Sequence, residues 1–108
     1  MEDNAAGKWR AVEEGDVLRI SGEIDSTVHE DVRAALRAHV DKSAGELVLD
    51  LGALEYMDSS GLAALLEIRK ALHASGRGMR ITAVTPLVAK IFQITQVGRF
   101  FGLEEGGN

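Results

Sequence analysis

The chain of 108 residues has no cysteine, which excludes disulfides and thiolate chemistry and fits a reducing compartment. It has no long hydrophobic run. The longest uncharged apolar stretch, residues 61–66, is far too short to span a bilayer, so no membrane insertion is expected. Positive charge is in deficit, with 12 Lys and Arg against 17 Asp and Glu, a net charge of −5 and a pI near 5.1. A nucleic-acid binder needs a basic face to neutralise phosphates, and only short clusters such as Arg69-Lys70 and Arg77 to Arg80 exist here. The opening Met1-Glu2-Asp3-Asn4 is acidic and lacks an apolar core, so no secretory signal is expected there. These exclusions leave a soluble, cytoplasmic single domain as the expectation, since the length supports one core and not two.

What is present is an alternation of strand and helix patterns. Residues 1–7 read as a loose lead-in. Residues 8–13 and 17–21 alternate apolar and polar side chains across a Gly15-Asp16 turn and predict a hairpin, with Glu13, Glu14 and Asp16 as a solvated cluster at its tip. Gly22-Glu23-Ile24-Asp25 is expected to leave the sheet. Thr27 with Glu30 three residues on matches a capping box, with Asp25 or Ser26 as other caps. The helix that follows places Val28, Val32, Leu36 and Val40 on one stripe. Residues 46–51 form an apolar run suited to the middle of a sheet covered by helices. A second helix is predicted over residues 59–75, burying Leu62, Leu65, Leu66 and Leu72 and ending at Gly76. A strand over residues 79–84 leads to a third helix with Thr85 as cap and Pro86 at its first position. Leu87, Val88, Ile91, Phe92 and Thr95 form that helix's apolar side, Gly98 breaks it, and residues 99–103 predict a last edge strand. The order implies an α/β domain with a small mixed, largely parallel sheet. In such a domain the loops after the strands gather at one edge, here residues 22–26, 52–59 and 85–86.

Few chemical constellations survive this arrangement. The histidines, His29, His39 and His73, read as surface helix residues; they are scattered and have no i,i+4 pair or cysteine to build a metal site. His73 lies fourteen residues beyond Ser59 on one helix, about 21 Å along the axis, too far to activate it. No glycine stands two residues before either serine of Ser59-Ser60, so there is no nucleophile elbow. No Rossmann or P-loop glycine pattern follows any strand, and no cofactor is expected. No catalytic residue is assigned, and no enzymatic activity is expected.

The informative segment is Met57-Asp58-Ser59-Ser60-Gly61-Leu62, where a buried strand feeds the second helix. Two hydroxyls stand there at a helix N-terminus, where free N–H groups and the dipole favour an anion. Asp and Ser are preferred N-caps, but one cap suffices and three capping-type residues stand in a row. Gly61 in the first turn costs about 1 kcal/mol relative to Ala. It is expected to keep the hydroxyl open to the approach of another protein.

This segment resembles the signature of STAS domains, in particular bacterial anti-sigma factor antagonists. Ser21-Gly22-Glu23-Ile24-Asp25 resembles the turn after that family's second strand. Leu47-Val48-Leu49-Asp50-Leu51 resembles the strand before the phosphorylated loop, and Thr85-Pro86 with Val88, Ile91 and Phe92 resembles the third helix. The likeness covers residues 8–103 as one STAS domain, leaving 104–108 as a flexible end. The resemblance implies a non-enzymatic switch. Such antagonists bind an anti-sigma factor that is also a serine kinase of the histidine-kinase-like ATPase fold, are inactivated by its phosphorylation of the first serine, and are restored by a PPM-type serine phosphatase. Carried over, Ser59 is the phosphorylation site, and Asp25, Asp58, Ser59, Ser60 and Gly61 form the partner-binding edge. The same family also supplies subunits or regulatory modules of membrane transporters and scaffolds of stress complexes, which are the alternative readings. Many relatives close with a further amphipathic helix, whereas Glu104-Glu105-Gly106-Gly107-Asn108 is too short and glycine-rich to form one.

Overall fold

The computed structural model describes residues 8–96. Two strands come first, β1 (Trp9–Glu14) and β2 (Val17–Ile24), followed by helix α1 (His29–Asp41). Strand β3 (Leu47–Met57), helix α2 (Ser59–Ala74), strand β4 (Met79–Val84) and helix α3 (Pro86–Thr95) complete the order. The sheet runs β1-β2-β3-β4, with β1 antiparallel to β2 and the other pairs parallel. This is the mixed, largely parallel sheet expected. The predicted last strand at residues 99–103 and the two end segments, 1–7 and 104–108, lie outside the described residues.

One face of the sheet carries the core. Leu18, Ile20 and Ile24 of β2, Leu47, Leu49, Leu51, Leu54 and Met57 of β3, and Met79 and Ile81 of β4 are buried against Val32 and Leu36 of α1, Leu65 and Ile68 of α2, and Val88 and Phe92 of α3. The outward positions Arg10, Val12, Glu14, Arg19, Arg80 and Thr82 are exposed. The helix stripes follow from 3.6-residue spacing, and all four predicted α1 positions are buried. In α2, Leu66 is only partly buried, and Ala64 and Ile68 fill the interior with Leu62, Leu65 and Leu72. Of the predicted apolar side of α3, Val88 and Phe92 are buried while Leu87 and Thr95 are exposed. Among the described residues, no helix is long and apolar enough to cross a membrane.

Both central strands run further than their sequence suggests. Strand β2 continues to Ile24 because Gly22 forms a bulge and does not break the strand. Its φ is +91°, and a Cβ there would lie 2.2 Å from the Lys8 carbonyl oxygen, so only glycine lets β1 approach. Strand β3 continues through Gly52 to Met57, while β4 pairs with it only as far as Leu51. Residues 52–57 therefore project past β4, and the predicted loop at 52–59 shrinks to Asp58.

The start of α1 also differs. Thr27 does not cap it; its N–H and hydroxyl both donate to Asp25 Oδ1, at 2.9 and 2.5 Å, and the Glu30 carboxylate accepts from Arg33. The helix begins at His29 with no side-chain cap. An Asx turn at Asp25 has outcompeted the capping box. His39 is not a surface residue either. It is 5% exposed, and its Nδ1 lies 2.8 Å from Glu13 Oε2, while Lys42 donates to Glu13 Oε1. Glu13 thus ties β1 to the last turn of α1 and is not part of a solvated tip, and these contacts hold its carboxyl below the usual range, Lys42 foremost. Arg77 bridges the far end, donating to the carbonyls of Gly45 and Val40 and to Ser43 Oγ.

Candidate functional site

The parallel register brings the ends of β2 and β3 together, with Ile24 beside Met57, and the Asp58 N–H donates to the Ile24 carbonyl at 3.2 Å. The Thr85 hydroxyl donates to the Leu54 carbonyl at 2.7 Å while accepting from Val88 N–H, which fixes the start of α3 against the projecting part of β3. The three predicted loops meet at one edge, as the topology requires.

Each signature residue has a distinct place. Asp58 is the N-cap of α2, with extended backbone, and its Oδ1 accepts from the N–H groups of Ser60 at 2.9 Å and Gly61 at 3.3 Å. The Leu62 N–H is taken by the Asp58 carbonyl. Two of the donors that could have cradled an anion are therefore held by Asp58's own carboxylate. Ser60 is half-buried behind this cap, whereas Ser59 is exposed, and its hydroxyl makes no hydrogen bond among the described residues. Gly61 is buried. A Cβ there would sit 2.5 Å from Met57 Cγ and 2.9 Å from Ile24 Cγ2. Its missing side chain lets the first turn of α2 rest on the strand ends, an internal reason for the glycine that local sequence does not disclose.

Asp25 is occupied on both oxygens. Oδ2 accepts from Lys8 Nζ at 2.6 Å, and Oδ1 holds Thr27. The Lys8 ammonium, then the Thr27 hydroxyl, hold the Asp25 carboxyl down at about 2, and the same contact raises Lys8. Lys8, which sequence reasoning left out of the site, anchors this edge from 17 residues away, and no local signal marks it. His29, the first residue of α1, is half-buried, with an Nε2 that has no partner among the described residues.

An exposed, unpartnered hydroxyl at the N-terminus of a well-capped helix is chemically suited to accept a phosphoryl group. The first-turn dipole tolerates the added charge, so the modification need not disturb the helix.

Comparison with known proteins agrees with this geometry. Residues 9–104 match the family described as Mlab, STAS domain. The chain is 34% identical over 76 residues to BtrV of Bordetella bronchiseptica, named as an anti-sigma factor antagonist, a match covering 70% of this chain and 66% of that protein. It is 31% identical over 80 residues to an anti-sigma F factor antagonist of Paenibacillus polymyxa, covering 73% of this chain and 68% of the relative. The crystal structure of an anti-sigma factor antagonist from Mycobacterium paratuberculosis superposes with a TM-score of 0.77 at 29% identity, over 90% of this chain and 86% of the other. The Asp-Ser-Ser-Gly-Leu turn, the sheet order and the matched span converge on one assignment: the chain belongs to the STAS domain family.

Proposed function

We propose that this protein is a cytoplasmic, non-enzymatic anti-sigma factor antagonist, switched by phosphorylation of Ser59. In this reading the unmodified protein captures an anti-sigma serine kinase of the histidine-kinase-like ATPase fold and so frees a sigma factor. The kinase transfers phosphate to Ser59 Oγ, and a PPM-type phosphatase reverses the transfer. The observation that carries the reading is the exposed and unbonded Ser59 hydroxyl beside an Asp58 carboxylate and first-turn amides, those of Ser60 and Gly61, that are engaged with one another.

Electrostatics supports release on phosphorylation. The modification adds about −1.5 to −2 charge. With Ser60 N–H and Gly61 N–H already held by Asp58, the phosphate points away from the helix toward whatever faces Ser59. In a bound kinase those groups are the phosphates of its nucleotide and the carboxylate that takes the serine proton, all anionic. Phosphoserine is repelled at close range while the fold stays as it was.

The test is capture from the source cell's lysate on immobilised wild type and on Ser59→Asp. An ATP-binding kinase held by the wild type and lost by Ser59→Asp supports the switch. Transporter subunits retained equally on both would instead make the domain part of a membrane complex, with Ser59 only a helix-start residue.

A further inference from the structure

We propose that Tyr56, flanked by Glu23 and Glu55, is the anchor by which the kinase recognises this protein, entering an apolar pocket rimmed by Lys or Arg. The inference rests on the reading of Ser59 given above and names the surface that brings that serine to its partner.

Glu23 and Tyr56 are register partners on adjacent parallel strands. Such neighbours stand about 4.8 Å apart and share a face of the sheet. The next pair, Ile24 and Met57, is buried toward the helices, so Glu23 and Tyr56 point the other way. Tyr56 lies in the part of β3 that projects past β4 and is 44% exposed, three residues before Ser59. Its ring is thus displayed at the very edge where Ser59 must meet a partner. A tyrosine offers large apolar area at small entropic cost, which is why binding hot spots are rich in it.

The charges around it divide into two sets. Asp25 and Asp58 are committed to internal hydrogen bonds, and the nearby ammonium of Lys8 is bound to Asp25. Glu23 and Glu55 are exposed and form no ion pair or hydrogen bond through their side chains among the described residues. Lys8 also feels Glu23 through space, but its single positive charge is outnumbered by Asp25, Glu23 and Glu55, so the net charge beside Tyr56 is negative and the complementary partner surface is basic. This is compatible with the switch. The basic rim holds Glu23 and Glu55, whereas the anionic nucleotide and base face Ser59, where the new phosphate appears.

The kinase retained by the wild type would be purified and its ATP-dependent phosphorylation of Ser59 measured with wild type, Tyr56→Ala, Tyr56→Lys and the double variant Glu23→Gln/Glu55→Gln. Low and moderate salt, about 50 and about 300 mM, separate screened from unscreened charge. Tyr56→Ala is expected to raise KM by about 30-fold or more with kcat within about twofold. Tyr56→Lys keeps an exposed strand side chain and sets a cation against the basic rim, so it loses binding further. The double variant is expected to slow association about tenfold at low salt and to flatten the salt dependence. Wild-type KM in both Tyr56 variants, with Ser59 still phosphorylated in the wild type, overturns the anchor and leaves the Ser59 reading intact. A wild type that carries no phosphate on Ser59 overturns both.

Discussion

Replacing Gly61 by alanine sets two opposed effects against each other, and the structure decides between them. Alanine in a helix is favoured over glycine by about 1 kcal/mol, less in the first turn, where part of the backbone is still outside the hydrogen-bond ladder. Against this, the new Cβ would stand 2.5 Å from Met57 Cγ and 2.9 Å from Ile24 Cγ2. Ordinary carbon contacts lie near 3.5–4.0 Å, so about 1 Å must be found on two sides at once. Met57 is 1% exposed and Ile24 is stiff at χ1, so neither side chain can swing into solvent. Overpacking of this kind costs about 1–3 kcal/mol. The net expectation is a loss of about 1–2 kcal/mol, read as a drop in Tm of about 4–12 °C for a domain this size. Denaturant and thermal unfolding of wild type, Gly61→Ala, Met57→Ala and the double variant measure the coupling. The penalty of Gly61→Ala should shrink by about 1 kcal/mol once the Met57 side chain is gone. A Gly61→Ala protein as stable as wild type would refute the packing argument. If that stable variant also failed to capture the proposed kinase, the glycine would be there for the partner after all.

Gly22→Ala forces a side chain into φ +91° and to 2.2 Å from a backbone oxygen that cannot move without unpairing β1, so it should cost about 3 kcal/mol in chemical denaturation; an unchanged midpoint would sink this account of the bulge. Asp58→Ala removes the only side-chain cap of α2 and should cost about 1 kcal/mol, whereas Asp58→Asn should cost much less. The Asp25 carboxyl should titrate near 2 by NMR and return toward an ordinary aspartate value in Lys8→Met. Because its folded pKa is depressed, this group's contribution to stability is present above about pH 4 and is lost as pH falls toward 2; Lys8, raised in the folded state, contributes below its unfolded value and loses that contribution as pH climbs through the folded one. A Lys8→Met protein with the same stability profile on both the acid and alkaline sides would contradict the pairing.

Where the fold was legible, its determinants were close in sequence. Helices α2 and α3 begin where Asp58 and Thr85-Pro86 say they do, because cap, first turn and apolar stripe all fall within a few residues. The ends of β2 and β3 were not legible for the opposite reason. Gly22 and Gly52 look like punctuation, and only the neighbouring strand shows that the chain stays paired beyond them. The capping box at Thr27 and Glu30 was a valid local pattern that lost to another local pattern, the Asx turn at Asp25, reinforced by Lys8 just before β1. His39 was misplaced because its partner, Glu13, is 26 residues away. At the site the same division holds. The position of Ser59 at the head of a helix follows from six consecutive residues, whereas the engagement of Asp25 and the burial of Gly61 depend on side chains that only the fold brings near.

That division bears on how such a site can work. A switch residue must be free to change its chemistry while everything that positions it stays fixed. At Ser59, the proposed switch residue, the positioning is done by groups already satisfied. The Asp58 carboxylate holds two first-turn amides, Asp25 holds Thr27 and Lys8, and Gly61 rests on Met57 and Ile24. A charge added at Ser59 finds no vacant donor at Ser60 or Gly61 without displacing the cap, and displacing it costs about as much as deleting it, about 1 kcal/mol. The helix dipole contributes about 0.3–1 kcal/mol in the other direction at an exposed terminus. The two nearly cancel, so the energy of the modification has little to act on inside the domain. In the proposed switch it is therefore expressed between molecules, where like charges brought together at close range are worth several kcal/mol.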